Sequence, residues 1–217
     1  MKPIFTVVKR NFLSSLVAFI ITLFIIIVAT TSKDANISIS RGNYSWLYLI
    51  MLPFFVVFAN FKKFINLNIS KSVYYKGSIA TYFLSSLIVS LFNTIIHIAV
   101  DPLNKTQNVI NLMELCGWWS NGVIIAFIQQ FLFLFLCTVF FHILLSMQNH
   151  WYGWIIDIIL VLIICIFIPI EPLRNILVSF FKLIMFNSTA WLHILVCIVF
   201  SILLYFIGIL ILKSKSI

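Results

Sequence analysis

The chain has 217 residues, of which 63% are hydrophobic and 9% charged, with a formal net charge of +9 and a mean hydropathy of +1.18. Soluble domains carry about 25% charged residues, so the composition excludes a soluble enzyme or binding domain and reads as an all-helical polytopic membrane protein. The net charge does not call for nucleic acid, because the basic residues sit at the ends of apolar runs, where retention of Lys and Arg on the cytoplasmic side explains them.

Lys2 to Asn11 alternates Ile4, Phe5, Val7 and Val8 with Lys9 and Arg10, the pattern of a short helix lying in the membrane interface. The first apolar run, residues 12–31, lacks a small-x-small cleavage site before Lys33 and reads as a retained anchor. A short loop leads to a second span at about 44–61, marked at its start by Tyr44 and Trp46, aromatics that suit the headgroup level. Pro53 predicts a kink there, since proline removes a backbone donor and crowds the preceding turn.

Asn60 to Ser78 is the one long polar interruption in the middle of the chain, with Lys62, Lys63, Lys71 and Lys76 and no acid. A third span follows at about 79–100 and stops at Asp101-Pro102. In the loop after it, Val109, Ile110, Leu112, Met113 and Leu115 predict a short amphipathic helix. Trp118 and Trp119 mark the entry of the fourth span, about 118–146, the longest run and one expected to tilt.

Gln148, Asn149 and His150 predict a tight turn, and a fifth span covers about 152–168. Glu171-Pro172 opens a second amphipathic segment, with Leu173, Ile176, Leu177, Phe180, Phe181 and Ile184 at helical spacing. It is too short and too charged to span and is placed on, or dipping into, the outer leaflet. The sixth span is about 190–212.

Six spans put both termini on one side. With the amino terminus inside, the inner segments hold nine basic residues and no acid, while the outer loops hold five basic residues mixed with Asp34, Asp101, Glu114 and Glu171. That bias favours cytoplasmic termini.

Asp157 is the only acid inside an apolar run, and an intramembrane charge is by default a functional candidate with a partner to be named. At 1.5 Å per residue, Asp157 and His142 stand at similar depths on either side of the tight turn. The expectation is a His142–Asp157 contact or a protonated Asp157, serving as a clasp between helices or in conformational coupling or proton movement. Tyr82, Ser86, Ser90, Asn93 and His97 recur at intervals that place them on one face of the third span. This stripe either glues helices together or lines a translocation path, and Gln129 and Gln130 carry the same two readings.

No P-loop pattern, nucleophile elbow or paired intramembrane acids occur. Histidines 97, 142, 150 and 193 lack metal-ligand spacing, and the four cysteines form neither a metal site nor a disulfide framework. No enzyme activity, metal or bound cofactor is therefore expected of this chain.

The layout resembles the permease subunits of bacterial type-2 ABC exporters in four features. These are an elbow helix before span 1, a basic segment between spans 2 and 3, a tight turn between spans 4 and 5, and a short hydrophobic helix before span 6. At residue level Asn68-Ile69-Ser70-Lys71-Ser72-Val73-Tyr74-Tyr75-Lys76 is similar to the small-residue, Ser-Arg/Lys, aromatic, Lys pattern of many such permeases, with lysine at Lys71 where arginine is frequent. The resemblance implies a coupling helix here, with Asn68, Ser70, Lys71, Val73, Tyr74 and Lys76 meeting a separate ATPase. It implies two copies of that ATPase, which would bind ATP and Mg, and a second permease, identical or related. It implies a place in the bacterial cytoplasmic membrane among membrane lipids. Within the family the small size and Ile-, Phe-, Asn- and Lys-rich composition look most like Gram-positive peptide exporters, including lantibiotic-immunity and amphipathic-toxin permeases.

Ser70 suits a helix cap, and Val73 and Tyr74 offer an apolar anchor. The other reading of the same segment is a basic loop lying on anionic lipid. A non-transporting membrane protein that binds a peptide, as an immunity or assembly factor, is the rival function from a different class.

Overall fold

The computed structural model describes residues 2–31, 37–103, 108–148, 150–187 and 189–214. Asn149, at the tip of the expected tight turn, lies outside them, as do Lys33 and Asp34. Among the described residues the fold is all-helical apart from one short strand pair. In order the helices are α1 (Lys2–Ser14), α2 (Leu16–Thr31), α3 (Trp46–Phe54), α4 (Phe61–Asn66), α5 (Lys71–Ala99), α6 (Leu112–Leu115), α7 (Val123–Met147), α8 (Trp151–Phe167), α9 (Glu171–Ile184) and α10 (Ala190–Ser214). Strands β1 (Ile37–Ile39) and β2 (Asn108–Ile110) pair in parallel, Ile37 opposite Asn108.

Among the described residues four continuous helical stretches are long and apolar enough to cross a membrane: Arg41–Asn66, Lys71–Leu103, Val123–Met147 and Ala190–Lys213. Two further pairs reach that length only across a bend, α1 with α2 at 41° and α8 with α9 at 118°. The chain is therefore a membrane protein with four to six candidate spans.

Arg41–Asn66 is helical throughout because a 3-10 turn (Arg41–Ser45), α3, a π-helical turn (Phe55–Asn60) and α4 follow one another without a break. Pro53 sits inside α3 and the π turn follows directly, as expected where the ring removes a ladder hydrogen bond and the backbone re-registers. Three sequence expectations are corrected. The polar island of 60–78 is not a loop: α4 extends into it and α5 begins at Lys71, leaving only Leu67–Ser70 between them. The lysines are interspersed with Phe64, Val73, Tyr74 and Tyr75 at spacings that bury one face, which outweighs the polar composition. The amphipathic helix expected from Val109 is only α6, because the alternating, β-branched-rich stretch of 108–110 pairs with β1 instead. The fourth helix starts at Val123 rather than Trp118, since Gly122 at φ 90° ends a separate 3-10 turn, Trp119–Asn121.

α7 is central, with α10, α5 and α3 packed on it, and α1 lies along α5. The burial pattern inverts that of a soluble protein. Ser78, Thr81, Ser86, Ser90, Asn93, Gln129 and Gln130 are all fully buried, while Ile20, Phe24, Ile158, Val161, Leu203 and Leu210 face outward. Apolar faces turned to hydrocarbon and small polar residues between helices are what a bilayer demands.

Candidate functional site

The turn between α4 and α5 is built by local chemistry. Asn68 takes a left-handed conformation, φ 59°, which asparagine tolerates better than most residues, and the Ile69 amide returns to the Phe64 carbonyl. Ser70 then caps α5, its Oγ accepting from the Val73 amide at 3.4 Å, as the sequence predicts. Lys62, Lys63 and Lys76 are exposed and Lys71 half-buried. The underside of the turn is fastened to the bundle. Tyr74 donates to the Val56 carbonyl in the π turn at 2.8 Å, with its ring edge-on to Phe61. Tyr75 donates to the Tyr205 carbonyl of α10 at 3.1 Å, at the point where Gly208 lets α10 approach its hydroxyl.

Tyr74 is 1% exposed, so its expected place as an outward anchor is corrected: its hydroxyl and ring are used internally. The exposed apolar residue at the turn is Leu67, at 63%, with Ile69 and Val73 half-buried behind it. Sequence reasoning missed Leu67. Its signal was its position just before an asparagine that can end a helix in the left-handed region.

A polar network behind the turn was also missed. Asn60 donates to Asn11 Oδ1 at 2.9 Å, Ser14 donates to Asn60 Oδ1 at 2.8 Å, and Asn11 donates to Thr81 Oγ1 at 3.2 Å. Asn11 and Asn60 are fully buried. The network ties α1, the π turn and α5 together, and its signal was two asparagines at the edges of apolar runs.

The α5 stripe faces inward along its whole length, with Tyr82, Ser86, Ser90, Asn93 and His97 at most 8% exposed. Its ends are held by hydrogen bonds. Tyr82 Oη lies 2.6 Å from His142 Nδ1 on α7, and Asn93 exchanges bonds with Asn111 at 3.2 and 3.4 Å. His97 Nδ1 lies 3.1 Å from Asp101 and its Nε2 3.5 Å from Glu114, with Trp119 edge-on to the ring. Ser40 donates to Asp101 and Asn111 donates to Ser40, which closes this end into one cluster.

The middle differs. Ser78, Thr81 and Thr94 each return a hydroxyl bond to the carbonyl four residues back, but Ser85, Ser86 and Ser90 have no hydrogen-bond partner. On α7 both amide atoms of Gln130 and the Nε2 of Gln129 are likewise buried and unpaired. Each such group costs about 1–3 kcal/mol, so the middle of α5 and of α7 carries polar groups that helix packing alone leaves unsatisfied.

His142 and Asp157, expected to meet, have other partners: His142 is bonded to Tyr82, and Asp157 accepts from Gln148 at 2.6 Å. Equal depth does not bring them together because the His142 ring turns toward Tyr75 and Tyr82 of α5, while Gln148 at the end of α7 takes Asp157. No metal-binding group of His, Cys, Asp and Glu occurs among the described residues. No family model, curated protein or solved structure matches the chain.

Proposed function

We propose that the chain is the six-span permease subunit of an ATP-driven exporter of the type-2 ABC class in the bacterial cytoplasmic membrane, with both termini cytoplasmic. In this reading each bent pair crosses the membrane once, through α2 and through α8, with α1 the interfacial elbow and α9 lying on or dipping into the outer leaflet. The observation that carries it is the α4–α5 turn: exposed and basic outward, and hydrogen-bonded through Tyr74 and Tyr75 to the π turn and to α10. A partner ATPase pressing on such a turn would move two other helices at once. A loop resting passively on lipid has no use for that linkage.

The unpaired polar groups of α5 and α7 are the reason to read a path there. Ser86 and Ser90 are small enough to serve close helix packing alone, but the buried Gln130 amide, with both its polar atoms unpaired, is too large and polar for that use. Parting α5 from α7 would expose these groups to a peptide's backbone or to water. The cargo this fits is an amphipathic peptide, whose apolar side chains face lipid while its amides meet the stripe. ATP and Mg would be bound by two copies of the ATPase, and a second permease, identical or related, completes the assembly.

The test is co-purification with an ATPase encoded beside this chain. The Leu67→Glu and Lys71→Glu variants are expected to lose the complex while keeping the thermal unfolding midpoint of the free chain. Failure of any ATPase to bind would remove the transporter reading and leave the non-transporting peptide-binding protein.

A further inference from the structure

α1 and α2 part company with α5 in a defined way. Below their 41° bend, α1 lies tightly on α5, so close at Gly77 that an added Cβ would stand 2.6 Å from Val7. Above it, α2 packs on the Arg41–Ser45 turn and α3 instead. The wedge left between them is a cavity of about 480 Å³, within the roughly 300–1,000 Å³ of small-molecule sites.

Its wall along the end of α1 and most of α2 runs from Phe12 to Ile26, a path of about 21 Å at 1.5 Å per residue. One leaflet has roughly 15 Å of hydrocarbon, half of a ~30 Å core, so the groove is long enough for a complete acyl chain. Its mouth is flush with the outward surface: Leu16, Phe19, Leu23, Ile88 and Phe92 line it and are 41–58% exposed. Its polar atoms are few. Ser15 and Tyr48 satisfy each other at 3.0 Å, and Ser85 brings a buried hydroxyl without a partner.

Charge selects the headgroup. Lys9 stands three residues before Phe12 and four before Leu13, which places it on the groove's own helical face one turn below the opening. Arg10 stands three before Leu13, and both cations are exposed. We propose that this groove binds one acyl chain of an anionic phospholipid whose phosphate sits at Lys9 and Arg10. The lipid belongs to the leaflet on the side of the amino terminus, and its binding needs no ATPase partner.

The experiment uses the full chain in phosphatidylcholine vesicles with trace phosphatidylglycerol carrying a diazirine near the end of one acyl chain. Crosslinks to residues 85–92 and 19–26 are divided by those to the outward face of α8, which reports bulk lipid. The ratio is expected to be higher for the phosphatidylglycerol probe than for the matching phosphatidylcholine probe. In Lys9→Ser/Arg10→Ser that preference should fall roughly thirty-fold, from about five-fold per cation. In Ile88→Trp, whose indole fills the mouth, the ratio should fall for both probes while α8 labelling stays constant. Equal ratios for the two probes, a preference that survives the double substitution, or labelling indifferent to Ile88→Trp would each overturn the assignment. So would a preference abolished by Arg41→Ser alone, which would place the headgroup at the other end.

Discussion

At Tyr74 a single hydroxyl reaches from the first turn of α5 to a carbonyl of the π turn, while the ring packs between Phe61 and Phe64. Tyr74→Phe keeps the ring and removes only the hydrogen bond, so a loss of about 1 kcal/mol is expected; Tyr74→Ala should cost about 3–5 kcal/mol. Thermal or denaturant unfolding in detergent measures both, and equal losses would show that the hydroxyl rather than the ring holds the turn. Gly77 offers a sharper probe of the α1–α5 contact. Its missing Cβ makes room for Val7, so Gly77→Ala should destabilise by about 1–3 kcal/mol through overpacking. Val7→Gly removes both obstructing atoms, Cβ and Cγ1, and in the double variant the two losses should be less than additive. Strict additivity would mean that α1 does not rest on α5 at that point.

Elements were legible in the sequence where hydrophobic length decides them and illegible where a few side chains decide them. The long apolar stretches, the Pro53 disturbance, the Ser70 cap and the amphipathic α9 all follow from composition and spacing. The pairing of β1 with β2 does not, because it joins residues about 70 positions apart in three-residue strands whose only local signal is β-branching. The helicity of residues 61–66 and 71–78 is hidden when polarity is read along the chain rather than around the α5 axis. Tyr74 and Tyr75 point inward there while Ser72 and Lys76 point out. The cluster at the end of α5 is legible only as far as His97; its partners Asp101, Asn111 and Ser40 come from three separate segments. Packed beside that cluster, Met113, Cys116, Trp118 and Ala126 form a small core of their own. Burial pushes the Cys116 thiol up to about 12, which leaves almost no thiolate, the reactive form, at neutral pH. A membrane-impermeant maleimide should therefore label Cys116 far more slowly than a cysteine placed at exposed Ser120. Asn111→Ala, which cuts the bonds from this segment to Ser40 and Asn93, should raise that rate several-fold. Fast labelling of Cys116 in the unaltered chain would mean that this small core is open.

On the scale of the whole molecule, hydrogen bonds at the two ends of the bundle bear on whether each bent pair crosses the bilayer or turns back within it. α1 meets the first turns of α5 through Asn11 and Thr81, whereas α2 packs on the Arg41–Ser45 turn, which joins the opposite end through Gly42 and Asn93. The α8–α9 pair behaves alike. It starts beside the end of α7, where Asp157 takes the Gln148 amide, and it finishes where Trp118 Nε1 donates to the Met185 carbonyl at 2.9 Å, next to the start of α7. An element that begins beside one end of a long helix and ends beside the other is the arrangement a crossing requires, and the 118° bend is the feature that would instead suit a re-entrant turn. Single cysteines at Ser72, Ser120 and Thr189, in a chain whose four native cysteines are replaced by serine, convert this into a measurement. Ser72→Cys is expected to react only from the cytoplasmic side, and Ser120→Cys and Thr189→Cys only from the outside. Thr189→Cys labelled together with Ser72→Cys would make α8–α9 a re-entrant hairpin and reduce the number of crossings to an odd count. It would also set the carboxyl terminus opposite the amino terminus and remove the six-span permease layout.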